Sequence, residues 1–392
     1  MTLIAETSEL AAFCARQARA DFVTVDTEFM RDTTYWPRLC LAQLGGPEAA
    51  AAIDTLAPRL DLAPLFDLMA NRAVVKVFHS ARQDMEIFFL ATGRLPQPIF
   101  DTQVAAMVCG FGDSVGYDTL VRKLTGAKID KATRFTDWSH RPLKKRQIDY
   151  ALSDVIHLRP VYRKLKRRLE KNGRTAWLDE EMAVLTDPET YRLDPETAWL
   201  RLKTRSHDRR YLAILRELAA WREAEAQRRD VPRNRVLRDD QIYDIAAHPP
   251  ATLDELGRTR GLRREAARGT VGRAILGAVA RGLALPEEAC PEPPPRAERP
   301  AGLGPLIDLL KVLLKMKCEK HKVAQKLVAS TAELELIAAC DQAQVPALAG
   351  WRRKIFGDDA LALKHGRLAL SANGKRVNLV PLGAETDGTS KQ

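Results

Sequence analysis

A chain of 392 residues, 45% of them hydrophobic, is too long for one ordinary domain and apolar enough to bury two or three cores. Its 62 Lys and Arg against 51 Asp and Glu leave a net charge of +11, which points to a polyanionic partner and says nothing of fold. Six scattered cysteines without a CxxC pair argue against a zinc cluster or a disulfide scaffold, and the absence of a secretory signal or a bilayer-length apolar run predicts a cytoplasmic protein with no membrane association.

Residues 9–19 have the spacing of a short amphipathic helix. Residues 21–29, Asp-Phe-Val-Thr-Val-Asp-Thr-Glu-Phe, read as a strand rich in β-branched and aromatic side chains. With a period of two, Phe22, Thr24, Asp26 and Glu28 share one face, and the two acidic residues stand about 7 Å apart along the backbone. Acids this close repel unless a cation sits between them, and carboxylates suit magnesium or manganese. The plainer alternative is a strand end with solvated acids. A polar and aromatic connector follows at 31–37, then strands at 38–44 and 49–54, an antiparallel start to a sheet.

Helical spacing over 61–70 precedes a buried strand at 73–78. That strand runs into His79 and Ser80, where Ser80 and Gln83 have capping-box spacing at the start of a helix. Asp84 falls in its first turn, just beyond a strand end, where α/β proteins place their sites. A short strand at 98–101 leads into a helix at 102–108, and another helix spans 119–124. The connector 126–140 holds Phe135 and Trp138. Pro142 can open the next helix, on which Tyr150 and Asp154 share a face. Alternating strands and helices predict an α/β domain over residues 1–185.

From residue 163 onward the pattern is helical and basic. A small bundle is expected over 205–286. A stiff proline-rich linker follows at 287–301, then a second helical domain over 302–381.

The segments Val25-Asp26-Thr27-Glu28-Phe29, His79 through Asp84, and Tyr150-Ala151-Leu152-Ser153-Asp154 resemble, in order, the three motifs of the DEDD exonuclease superfamily. The YxxxD form of the third is similar to the tyrosine branch; the histidine branch would need a histidine where Asp149 stands. With its helical tail the chain resembles the bacterial ribonuclease D family, whose tail carries paired HRDC domains. Leu253-Asp254-Glu255-Leu256 and Gly261-Leu262 look like landmarks of the first of these, and the second departs more from the pattern.

The resemblance implies a ribonuclease H-like catalytic domain, a mixed central sheet flanked by helices, followed by two small all-α bundles. It implies two divalent cations, Mg2+ or Mn2+, held by Asp26, Glu28, Asp84 and Asp154. Asp26 would bridge them, Glu28 and Asp154 would complete one site, and Asp84 would serve the other partly through water. Tyr150 would orient the attacking water. It further implies 3′→5′ removal of nucleoside 5′-monophosphates from RNA with an accessible 3′ end, including transfer RNA precursors, with no obligate protein partner.

Tyr35, Trp36 and Phe135 are candidates to stack on bases, with core packing an equal alternative. Arg205, Arg209 and Arg210 are candidate phosphate contacts. His79 reads as a satisfied strand-end histidine, and Asp101 and Asp149 as surface or capping acids. Two rivals stand beside the exoribonuclease: a DNA 3′→5′ exonuclease, which the same acids would serve, and a non-catalytic RNA-binding protein.

Overall fold

The computed structural model describes residues 2–130, 136–204, 206–292 and 302–382; Phe135, Arg205 and most of the expected linker lie outside them. The first part of the chain runs β1 (Thr2–Ile4), α1 (Thr7–Gln17), β2 (Phe22–Met30), β3 (Arg38–Gly45), β4 (Ala50–Ile53), α2 (Ala63–Ala70) and β5 (Val75–Phe78). It continues with α3 (Arg82–Thr92), β6 (Ile99–Asp101), α4 (Thr102–Val108), α5 (Tyr117–Thr125), α6 (Lys145–Lys171) and α7 (Thr175–Leu185). The six strands form one mixed sheet in the order β1-β4-β3-β2-β5-β6. Its β4-β3-β2 portion is antiparallel and its β2-β5-β6 portion parallel.

The acid-bearing strand lies inside this sheet. Val23 and Val25 are fully buried, as the apolar face of an inner strand should be. The ladder to β5 covers Phe22 to Thr24, whereas the ladder to β3 continues to Met30. The half of β2 that carries Asp26 and Glu28 therefore stands clear of β5. A register shift between Glu28 and Phe29 marks a bulge there, which bends the strand and re-aims the side chain beside it.

Helix α6 crosses β2, β3 and β4 and buries Ala151, Leu152, Val155, Leu158 and Val161 at helical spacing. Thr24 Oγ1 bonds the Val155 carbonyl at 2.7 Å and lies 3.0 Å from that of Gly45. A side chain at Gly45 would strike Thr24, so glycine permits this close approach of helix to sheet.

Two local expectations change. Helix α6 starts at Lys145 rather than Pro142, because the Gln147 side chain accepts the Lys144 N–H at 2.9 Å and closes the first turn there. Ser80 caps nothing: its φ of +65° places it before the helix, and α3 starts at Arg82. Asp101 supplies the missing acceptor, taking the N–H groups of Ser80 at 3.0 Å and Ala81 at 2.8 Å. It also takes the Gln103 N–H at 2.7 Å, so one buried carboxylate serves two helix starts, in line with the capping alternative expected of it.

The tail holds two further cores. One is built from Leu212, Leu215, Leu218, Ile242 and Ile275 on α8 (Arg209–Arg229), α9 (Arg233–Val236), α10 (Asp239–Ala247), α11 (Leu253–Leu256), α12 (Arg264–Arg268) and α13 (Thr270–Ala284). The other is built from Leu310, Leu313, Ile337 and Trp351 on α14 (Gly304–His321), α15 (Gln325–Val328), α16 (Thr331–Ala339), α17 (Gly350–Arg352) and α18 (Asp358–Lys364). A hairpin, β7 (Leu368–Asn373) and β8 (Arg376–Pro381), follows α18 where the reading placed only helical segments.

Both helical units dock on the sheet domain. Trp177 stacks on Trp351 with ring centroids 4.2 Å apart, and the Ala324 N–H bonds the Met107 carbonyl at 2.9 Å. On the other side, Asp230 Oδ1 accepts the N–H groups of Tyr35 and Trp36, each at 3.0 Å.

Candidate active site

Asp26, Glu28, Asp84, Tyr150 and Asp154 all line one cleft of about 440 Å³. Strand alternation sets Asp26 and Glu28 side by side on β2, and helical spacing sets Tyr150 and Asp154 on one face of α6. The Thr24 bond to Val155 fixes the separation of those two elements, one residue away from Asp154. Carboxylate oxygens of Asp26, Glu28 and Asp154 lie within 4.8 Å of one another, the one cluster of metal-ligating type among the described residues. Asp84 reaches the cleft from the first turn of α3 and accepts a hydrogen bond from Thr27 Oγ1 at 2.5 Å.

The cluster is electrostatically uncomfortable without a cation. Burial pushes Asp26 up to about 7, against the pull of a backbone hydrogen bond at Thr27. Asp84 is raised well above the ordinary carboxylate value, first by burial and then by the charge of Asp26. Adjacent carboxylates, buried or half-buried, that resist ionising together are what a divalent ion relieves, and an all-oxygen donor set suits a hard one. The residues present therefore fit Mg2+ or Mn2+.

Tyr150 packs against buried Trp138, ring centroids 6.2 Å apart, which holds the phenol on the cleft side of α6. His79 lies 3.0 Å through Nδ1 from Thr102 Oγ1, and that hydroxyl donates to the Phe78 carbonyl at 2.9 Å. Burial lowers its pKa, so the imidazole is neutral and anchored at the strand end.

Tyr117 is a cleft residue absent from the motif-based set. Its hydroxyl donates to the Asp154 backbone carbonyl, and its ring centroid lies 5.2 Å from that of His79. Burial, then the nearby Asp154 and Asp26 charges, push its phenol well above 10, so it acts as a donor and not as a base. Its sequence signal, a tyrosine after Gly116 at a helix start, is indistinguishable from ordinary packing.

The candidate RNA contacts fare differently. Tyr35 is 3% exposed, with its hydroxyl bonded to Glu223, so it offers no face to a base. Trp36 meets Tyr35 edge-on at 4.6 Å and is half-buried. Arg210 Nη1 donates to the carbonyls of Gly282, Leu283 and Leu285 at 3.0, 2.9 and 2.7 Å, capping the end of α13. Arg209 Nη2 bonds the Cys290 carbonyl at 2.9 Å. These hydrogen bonds tie both guanidiniums to the bundle's own backbone.

Residues 1–170 match the family model described as 3′-5′ exonuclease, and residues 211–279 match that of the HRDC domain. The ribonuclease D of Granulibacter bethesdensis is 55% identical over 383 residues, covering 97% of each chain. That of Zymomonas mobilis is 44% identical, covering 98% of this chain and 99% of its own. The crystal structure of Escherichia coli RNase D superposes with a TM-score of 0.81 at 30% identity, covering 93% of this chain and 98% of that one. Together with the acid cluster and the two helical units, these likenesses place the chain in the ribonuclease D family of 3′→5′ exoribonucleases.

Proposed function

We propose that this protein shortens structured RNAs from their 3′ ends, transfer RNA precursors among them, by a two-metal hydrolysis that releases nucleoside 5′-monophosphates. The observation that carries the reading is the convergence of three carboxylates within 4.8 Å in a cleft that also holds Asp84 and Tyr150. The Escherichia coli relative is described as an exoribonuclease involved in structured RNA processing, which supports the substrate class.

In this reading Asp26, Glu28 and Asp154 would hold divalent cations, with Asp84 contributing from α3. When bound, the ions would lower the pKa of a water and offset charge on the phosphodiester oxygens. The protein's own contribution is placement. Thr24 and Tyr117 pin the carbonyls of Val155 and Asp154, so the Asp154 carboxylate arrives at a set position against Asp26. Thr27 orients Asp84. A tyrosine phenol is a poor base at neutral pH and a good hydrogen-bond partner, so Tyr150 aligns the water without taking its proton. The water gives up a proton to solvent as its oxygen bonds to phosphorus, the P–O3′ bond breaks, and the departing 3′ oxygen takes up a proton from solvent.

Incubating 5′-labelled RNA with Mg2+ or Mn2+ tests this: a ladder shortening from the 3′ end is expected, and Asp26→Asn should abolish it. Folded, metal-binding protein that leaves the RNA intact would sink the reading. A matched DNA strand degraded equally fast would favour the DNA exonuclease.

A further inference from the structure

The ladder between β2 and β5 ends at Thr24, so no backbone pairing fixes that side of the half-strand carrying Asp26 and Glu28. Side chains tie it to α3 instead. One tie is the hydrogen bond from Thr27 Oγ1 to Asp84 Oδ1. Another is a two-bond fork: Arg31 Nη1 and Nη2 donate to Glu86 Oε2 and Oε1, each at 2.8 Å. Arg31 stands one residue past the end of β2, and Glu86 two residues past Asp84 on α3.

The two ties grip α3 on different flanks. At about 100° per residue, the Asp84 and Glu86 side chains leave the helix about 200° apart around its axis. Met85 and Phe88 are buried and press α3 onto the core, but apolar packing has no direction, and the roll of the helix is left to its polar ties. A carboxylate stands about 5–6 Å from a helix axis, so a roll of about 10° would carry Asp84 by about 1 Å. The other end of the fork is itself held. Arg31 opens the connection between the paired Met30 and Arg38, and in that connection the N–H groups of Tyr35 and Trp36 both bond to Asp230 of the first helical unit.

We propose that Arg31 and Glu86 are positioning residues for the metal site: their fork sets the roll of α3 and with it the place of Asp84 opposite Asp26 and Glu28. The side chains are 34% and 16% exposed, so the pair adds little to overall stability. Its planar, two-bond geometry fixes direction, which a single bond from Thr27 does not. The proposal rests on the reading of the cleft acids as metal ligands.

The test compares wild type, R31K, E86Q and R31K/E86Q. Lysine keeps the charge of Arg31 but cannot form the fork. Calorimetric titration gives the Mn2+ affinity, and steady-state cleavage of 5′-labelled RNA gives kcat and KM. Each single variant should bind Mn2+ about tenfold more weakly and lose about tenfold in kcat, the lower end of what partners behind metal ligands contribute. KM for RNA and the melting temperature of metal-free protein should stay at wild-type values. Because both residues act through one fork, the double variant should match the singles, not multiply them to about a hundredfold. Wild-type Mn2+ affinity in R31K and E86Q, a hundredfold loss in the double variant, or a rise in KM without loss of Mn2+ affinity would overturn the proposal. Wild-type protein that binds Mn2+ and leaves RNA intact would instead overturn the exoribonuclease reading, with the calorimetric comparison still deciding the role of the fork.

Discussion

Thr27 sits between Asp26 and Glu28 on β2, yet its hydroxyl serves neither; it donates to Asp84 Oδ1 at 2.5 Å. The strand that supplies two acids thereby orients a third from another helix. A hydrogen bond to a charged group contributes about 1.5–3 kcal/mol, so Thr27→Val, which keeps the β-branched shape, should raise the Mn2+ concentration for half-maximal activity roughly tenfold. RNA affinity without metal should not move. A Mn2+ titration of RNA cleavage checks this, and an unshifted midpoint would remove Thr27 from the site.

Tyr117→Phe keeps the ring against His79 and deletes the bond to the Asp154 carbonyl. One net hydrogen bond amounts to about 1 kcal/mol, so kcat should fall about fivefold with KM for RNA unchanged. Calorimetric titration should show weaker Mn2+ binding in the variant. A change in KM alone would mean that Tyr117 touches the substrate instead.

The first helical unit is clamped by Glu223, whose side chain is 1% exposed and meets Arg233, Arg201 and the Tyr35 hydroxyl. Burial raises its carboxyl, but the Arg233 and Tyr35 hydrogen bonds outweigh that and leave it below its ordinary value. Glu223→Gln should destabilise the protein by about 2–3 kcal/mol, less than the 3–5 for a fully buried pair because Arg233 remains a third exposed. Thermal denaturation measures this. A wild-type melting temperature would show that the clamp adds nothing to docking.

The raised carboxyls give a pH signature. Asp26, at about 7 against an ordinary 3.8, and Asp84, also raised, keep protons in the folded chain that the unfolded chain has lost. Their stabilising contribution is complete below that window and disappears as pH climbs through it. This contribution to the stability of metal-free protein should therefore decline from about pH 4 to pH 7. Saturating Mn2+ should raise the melting temperature more at about pH 7.5 than at about pH 5.5, because the ion competes with those protons. Equal stabilisation at both would show that the acids are not its ligands.

The acids were legible because their geometry is local. Asp26 and Glu28 obey strand alternation, and Tyr150 and Asp154 obey helical spacing; each pair needs only its own element. What joins the pairs is not local. Thr24 reaches Val155 across 131 residues and Thr27 reaches Asp84 across 57, and neither threonine differs in sequence from one that merely fills a strand. Charge counting likewise cannot tell Arg210, spent on carbonyls, from Arg235, which faces a cleft. The reading of Ser80 as a cap failed because Asp101, 20 residues from Ala81, supplies the acceptor. The hairpin did have a local sign, Asn373-Gly374 between alternating apolar residues, that the helical context outweighed.

The central claim is that the acids of β2, α3 and α6 gather divalent cations to cut RNA, and Mn2+ anomalous scattering from soaked crystals addresses it most directly. Two peaks about 4 Å apart are expected, one touching Asp26, Glu28 and Asp154 and the other between Asp26 and Asp84. Crystals diffracting with full Mn2+ in the soak but no peak at these carboxylates would contradict it.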